Sequence, residues 1–329
     1  MQVTVPYPGS FEGLRPINLN TDIPEVLRLL EQVFGAKLDA SGRQLLISGG
    51  RNAGQPAFLW RLSPAASKLA LGYVWERDGR IIGNVTILTT AVKQRFLVVN
   101  VAVHPDYRRQ GIARRMMHKV TEVVRQRGGN QILLQVVKQN EAAIALYQSL
   151  HYRTLGSMRT WNAEASRIRP VEAAAGPGRI RELRRSEWRL AYDFDRHCLH
   201  PDLNWPEPPE PETYRTGILR RIGHFLNGRA VENWLMVTAD KKIAGMATLV
   251  MEYGRSHNLA IRVAPEWRGQ VEQALLGKML RRIQLLPRRR ITLIHPDDDN
   301  VMNELLRECL FSTRRTLTHM RLDLDIPEK

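Results

Sequence analysis

Cysteine is nearly missing from this chain of 329 residues, which has only Cys198 and Cys309. Two cysteines make no disulfide framework, and none lies in the first half, which rules out a thiol nucleophile there. Long apolar runs are missing as well: no stretch nears the roughly 20 apolar residues of a membrane span. The opening residues, MQVTVPYPGSFEGL, carry neither the basic start nor the apolar core of a secretory signal, so the cytoplasm is the expected location. Acidic residues are in short supply, 33 against 49 lysines and arginines, for a formal charge of +16. The basic residues are scattered rather than gathered into a tract, and no nucleic-acid motif accompanies them. They fit a solvated surface with a share left for an anionic ligand. Neither a nucleic-acid nor a membrane partner is expected. His197-Cys198-x-His200 lacks a further ligand cluster, so no metal is expected either.

What is present centres on residues 95–113, RFLVVNVAVHPDYRRQGIA. An apolar, β-branched run breaks at Pro105 and passes through Arg108-Arg109-Gln110-Gly111. Ile112, Met116, Val120, Val123 and Val124 then recur at helical spacing. This predicts a buried strand, a basic glycine-containing turn and the start of an amphipathic helix. Such a junction gathers unpaired backbone N–H groups and the positive end of a helix dipole in one small volume. A diphosphate fits there, as phosphates do at helix N-termini.

Val103, Pro105, Arg108, Gly111 and Ala113 stand in the spacing Val-x-Pro followed by Arg-x-x-Gly-x-Ala. In that spacing the chain resembles the GNAT superfamily of N-acetyltransferases, whose acetyl-CoA pyrophosphate loop is Q/R-x-x-G-x-G/A. Downstream, residues 140–147, NEAAIALY, resemble the family's N-x-x-A-x-x-x-Y helix, which borders the pantetheine arm and offers a tyrosine to the coenzyme sulfur. The resemblance implies acetyl-CoA as co-substrate. Its binding set is then Val101, Val103, Arg108, Arg109, Gln110, Gly111, Ile112, Ala113, Arg114, Asn140, Ala143 and Tyr147.

Taken in order, the chain predicts a strand at 15–19 and a helix capped by Thr21 or Asp22. Strands follow at 57–61, 69–76 and 81–90, the last two joined around Asp78-Gly79. After the central strand and helix come a strand at 131–137, a helix at 141–150 and a strand at 152–161 that closes the first half. The same order then restarts near residue 180. Val103-x-Pro-x-x-Arg recurs as Val263-x-Pro-x-x-Arg and Asn140 as Asn300, both at an offset of 160 residues. The fold class is therefore α/β (α+β), with two tandem GNAT-like domains. Each is a mixed, mostly antiparallel sheet flanked by helices. Expected boundaries are 1–162 for an active copy, 163–178 for a linker and 179–329 for a degenerate copy. In that second copy Gly111, Ile112, Ala113 and Tyr147 are replaced by Val271, Glu272, Gln273 and Arg307. A Cβ where backbone must approach phosphate, and a carboxylate beside it, work against anion binding.

Acetyl transfer to a primary amine by direct attack needs the thioester held, its carbonyl polarised and the amine freed of a proton. The resemblance assigns polarisation to a backbone N–H near Val101 and donation to the leaving sulfur to Tyr147. A phenol with reference pKa near ~10 is a donor at neutral pH; Tyr147 also suits a helix core. Asn140 fits a coenzyme hydrogen bond or a helix cap. Asn100 matches the Asn of NIAV in bacterial ribosomal-protein acetyltransferases and fits an amine contact or a satisfied amide. In those enzymes a Leu-Glu-Val supplies the base, and here Gln135 replaces the glutamate. Glu76, at a strand end, fits a base acting through water or a solvated turn carboxylate. The proline-rich, acidic stretch at 201–214 is expected as an exposed loop. The acceptor is a small-molecule or peptide amine, with the oligomeric state left open. A non-catalytic acyl-CoA-binding or regulatory protein is the alternative.

Overall fold

An Asp-Gly pair between two apolar runs should fold back tightly, and Asp78 and Gly79 do so with φ of 52° and 71°. Two positive angles are what a type I′ hairpin requires. The turn joins β2 (Leu69–Arg77) to β3 (Arg80–Thr89). The computed structural model describes residues 12–35, 69–169, 171, 176–204, 209, 211–215 and 228–324. The strand expected at 57–61 lies outside them. The chain divides into two compact units: the described residues of Met1–Gln135, Ala142–Arg153 and Met320–Lys329 make the first, those of Val136–Glu141 and Thr154–His319 the second.

In the first unit β1 (Gly13–Pro16) pairs antiparallel with β2, β2 with β3, and β3 with β4 (Arg95–Val103); β4 runs parallel to β5 (Gln131–Val137). Helix α1 (Ile23–Phe34) places Val26, Leu29 and Leu30 against Val74, Ile81 and Ala102 on one face. Helix α2 (Ile112–Gln126) takes the other, where Gly83 admits Met116 and Ile112: a Cβ there would lie 3.2 Å from the Met116 sulfur. Helix α3 (Glu141–Ser149) begins in the second unit's share of the chain and continues in the first. Asp22 sits at the α1 N-cap, but its carboxylate accepts from Asn18 N–H at 2.7 Å and from Arg15, not from the helix.

The second unit repeats this order with β7 (Gly178–Glu182), α4 (Trp188–Cys198), β8 (Arg229–Thr238), β9 (Ile243–Glu252) and β10 (His257–Val263). It continues with α5 (Glu272–Gln284), β11 (Arg290–Pro296), α6 (Asn300–Glu308) and β12 (Ser312–Asp323). Its sheet departs from expectation at one edge. The strand forecast to close the first half, β6 (Arg153–Glu164), pairs antiparallel with β11, Glu164 opposite Arg290 and Met158 opposite Pro296. Conversely, the first unit holds the end of β12: Leu324 N–H donates to Asn130 O at 2.8 Å and Gln131 Nε2 to Asp323 Oδ1 at 3.2 Å. Alternation of side chains fixes the faces of a strand but not its neighbour.

Two other expectations shift. Ile168 and Val171, in the stretch expected as a linker, pack on the second unit's core. Within 201–214, expected to be exposed, Asp202 and Tyr214 are buried, and the Tyr214 hydroxyl donates to Asp195. No helix among the described residues is long and apolar enough to cross a membrane.

Trp161 tests where β6 belongs. It is 1% exposed within the second unit's core and its Nε1 donates to Asn303 Oδ1 at 3.1 Å. Trp161→Ala is expected to cost about 3–5 kcal/mol in denaturant unfolding. Amide exchange should accelerate first in β10 and β11, not in β2 and β3.

Candidate active site

A parallel strand pair that stays in register cannot admit a ligand between its members. β4 and β5 are paired only from Arg95 opposite Gln131 to Val98 opposite Leu134. From Val99 and Gln135 onward they have no register partner in each other, so the two strands part toward their C-terminal ends, which is what a cleft between them requires. The second unit repeats this: β10 and β11 pair from His257–Ile291 to Leu259–Leu293 and no further.

At the mouth of the first cleft a 3₁₀ turn at Pro105–Tyr107 leads into the basic loop. Arg109 and Gly111 both have positive φ, 63° and 76°, and Gly111 is the N-cap of α2. Among the described residues, the backbone N–H groups of Arg109, Gln110 and Gly111 have no protein acceptor. The side chains leave this space as well. Arg108 Nε donates to Val103 O at 3.2 Å, Arg114 Nη2 to Ser149 Oγ at 2.8 Å, and Gln110 Oε1 accepts from Arg77 Nη1 at 2.9 Å. The first turn of α2 contains no acid but has Arg114 and Arg115. Cations at the positive end of a helix dipole are unfavourable until an anion joins them.

The second unit solves the same problem differently. Gly269, 160 residues after Arg109, has φ of 80°, while Val271 in the place of Gly111 has φ of −118°. The Glu272 carboxylate turns back and accepts from Gly269 N–H at 2.8 Å and Val271 N–H at 3.1 Å, and it is 1% exposed. Glu272 was expected only to repel an anion; it takes the anion's hydrogen bonds itself. Polar side chains near the ends of β10 and β11 are tied down as well. Arg262, where the first half has Ala102, donates to Asp195 Oδ1 at 2.8 Å and to Asn204 Oδ1 at 3.1 Å. His295, where the first half has Gln135, bonds Asp299 Oδ2 at 2.7 Å; burial pulls its basicity down and keeps it neutral.

In the first unit Tyr147 is 6% exposed on α3, and burial pushes its phenol up to about 12. Its ring lies 5.9 Å from that of Tyr152, itself raised by burial. Ala143 is half-buried one turn earlier, and Asn140 N–H closes a turn on Val137 O at 2.8 Å. Val101 and Val103 lie on the stretch of β4 that has no register partner in β5, half-buried, with Ile112 and Ala113 in the first turn of α2. Asn100 has φ of 56° at a bulge in β4. Glu76 is not free: Arg15 Nε donates to its Oε2 at 2.6 Å. The Arg15 contact had no sequence signal, because it joins strands distant along the chain. His200, singled out earlier with Cys198, uses Nδ1 to accept Asp202 N–H at 3.2 Å.

The acetyltransferase (GNAT) family model matches residues 44–152. The [ribosomal protein bS18]-alanine N-acetyltransferase of Escherichia coli K12 is 38% identical over 99 residues, covering 29% of this chain and 66% of the relative, just under two thirds of its length. Thialysine N-epsilon-acetyltransferase of Sus scrofa is 32% identical over 77 residues, 23% of this chain and 45% of the relative. Among solved structures, a tandem GNAT protein from the clavulanic acid biosynthesis pathway aligns over 96% of this chain and 99% of its own, with TM-score 0.51 and 16% identity. A GCN5-related N-acetyltransferase from Sphaerobacter thermophilus aligns over 94% and 95%, with TM-score 0.56 and 16% identity. At that identity they speak for the tandem fold alone.

The carboxylate cap generates a prediction. Glu272→Gln keeps the shape but removes the charge from the helix start. Its unfolding free energy is expected to fall by about 1–2 kcal/mol in a denaturant titration. Coenzyme affinity should not change.

Proposed function

The chain carries a GNAT acetyltransferase domain over residues 44–152, and on that premise we propose that its first half transfers acetyl from acetyl-CoA to a primary amine by direct attack. The observation that carries this reading is the contrast between the two loops. In one, Arg109, Gln110 and Gly111 offer backbone N–H groups that find no acceptor among the described residues, amid arginines; in the other a carboxylate takes the equivalent bonds.

Gly111 fits a diphosphate for a steric reason. With φ of 76° it presents its amide without a Cβ, and a side chain there is strained whatever the space. Arg108, Arg109 and Arg114 supply charge around it. Bound coenzyme contributes an activated thioester; the rest falls to the protein. The Val101 N–H, on the part of β4 without a partner in β5, donates to the thioester oxygen as charge develops on it. Tyr147, buried and protonated, donates its phenolic proton to the departing sulfur. Asn140 and Ala143 border the pantetheine arm, and Asn100 lies beside the incoming amine. Val103 and Ile112 are the packing on which the loop rests.

Proton removal limits the acceptor. Gln135 takes up no proton, and Glu76 is held by Arg15, so Glu76 acts at most through water. An amine already partly neutral at pH 7 suits this site. An α-amine, with reference pKa near ~8, meets that requirement better than a lysine ε-amine near ~10.4.

Acetyl-CoA titration of the full chain is expected to find roughly one site. Gly111→Val should weaken it at least about tenfold through strain and lost approach. Binding that survives this change would refute the loop assignment. In a thiol-release assay over an amine panel, Tyr147→Phe should slow turnover about 10–100-fold with little change in KM. Wild-type turnover should keep its donor until the pH nears the phenol's value of about 12. Binding without thiol release on any amine would make the chain an acyl-CoA sensor instead.

A further inference from the structure

We propose that Asn84 is a positioning residue for this reaction: its side-chain amide holds the carbonyl of the peptide between Asn100 and Val101 and so aims the Val101 N–H into the cleft. The proposal rests on the acetyl-transfer reading above and adds a residue to it.

The starting observation is the bulge in β4. Asn84 lies opposite Ala102 and Thr86 opposite Val99, so a single residue of β3, Val85, faces both Asn100 and Val101. Asn100 takes up the irregularity with φ of 56°, a conformation that side chains other than glycine seldom adopt. Asn84 Nδ2 donates to the displaced Asn100 carbonyl at 2.9 Å. Its other contact, Thr86 Oγ1 at 3.5 Å, is at the limit of a hydrogen bond. Asn84 Oδ1 is buried without any partner.

Packing does not explain an asparagine here. Its side chain is 0% exposed and lies in register between Val74 and Ala102, two members of the apolar cluster beneath α1. A buried amide with an orphaned oxygen is destabilising, and one good hydrogen bond offsets only part of that. A leucine would fill the site at lower cost.

The bulge does explain it. The Asn100 carbonyl and the Val101 N–H are opposite ends of one planar trans peptide and point in opposite directions. A donor on the β3 side that fixes the oxygen turns the N–H away from β3, toward the side where β5 has parted from β4. The same bond polarises the peptide and strengthens the N–H as a donor. A donor fixed before the reaction needs no reorganisation when charge appears on the thioester oxygen.

The test is infrared spectroscopy of acetyl-CoA carrying ¹³C at the thioester carbonyl, bound to the full chain. In the wild type the carbonyl stretch should fall below its value in free acetyl-CoA. In Asn84→Leu the shift should shrink by more than about half and turnover should drop about tenfold. The KM for acetyl-CoA should stay within about twofold, and the melting temperature should not fall. Asn84→Asp gives an independent reading if the leucine variant fails to fold. A buried carboxyl keeps its proton to higher pH than usual and donates while it does. The carbonyl shift should therefore be present at acid pH and disappear as pH rises, while the wild type stays level. A full shift with full turnover in Asn84→Leu, or a pH-independent shift in Asn84→Asp, overturns the proposal. A wild type that binds acetyl-CoA but shows no shift removes Val101 as the donor. A wild type that binds none removes the acetyl-transfer reading itself.

Discussion

A helix that begins inside a protein must find acceptors for its first backbone N–H groups, and both halves of this chain place such a helix directly after a strand. The second half meets the requirement internally, since Glu272 reaches back to Gly269 and Val271. Among the described residues, the first half leaves the N–H groups of Arg109, Gln110 and Gly111 without protein acceptors and adds arginines that the helix dipole disfavours. That arrangement costs stability in the free protein and gains it back with an anion in place. The glycine at 111, the absence of an acid in the first turn of α2 and the basic run before it all serve that one requirement.

Holding a diphosphate at the helix start does not by itself align a thioester. The parting of β4 from β5 after four paired residues makes the cleft, and the bulge opposite Val85 turns one peptide of its wall. These are different devices with different sequence costs. The parting needs only that Val99 and Gln135 have no partner in each other. The bulge needs a residue that tolerates positive φ, here Asn100, and a donor on the neighbouring strand to hold its carbonyl.

Local features were legible in the sequence. The Asp78-Gly79 hairpin, the glycine at the head of α2 and the repeat at 160 residues rest on short-range chemistry that one strand and one turn specify. Partner choice was not legible. β6 and β12 have the same alternating pattern, so nothing in residues 153–164 says that they will lie beside β11. Arg15 and Glu76 stand 61 positions apart, and nothing near Glu76 announced that its carboxylate would be held. Asn84 escaped notice because its meaning depends on a bulge in a neighbouring strand. The role of Glu272 was half visible: its charge was read, but not the direction in which its side chain turns.

The second half has exchanged access for interlock. Where the first half has Ala102, Arg262 ties β10 to Asp195 and Asn204; where it has Gln135, His295 is held by Asp299. Asp195 and His295 are buried and their partners partly so, and removing a partner strands the buried member in a medium of low dielectric. Such networks contribute little net stability but punish any rearrangement that would reopen the cleft. A single substitution at Val271 or Glu272 therefore leaves the Arg262 and His295 contacts in place. The second half is tied together by this set, whereas the first half has the small Ala102 and the uncharged Gln135 at the same positions.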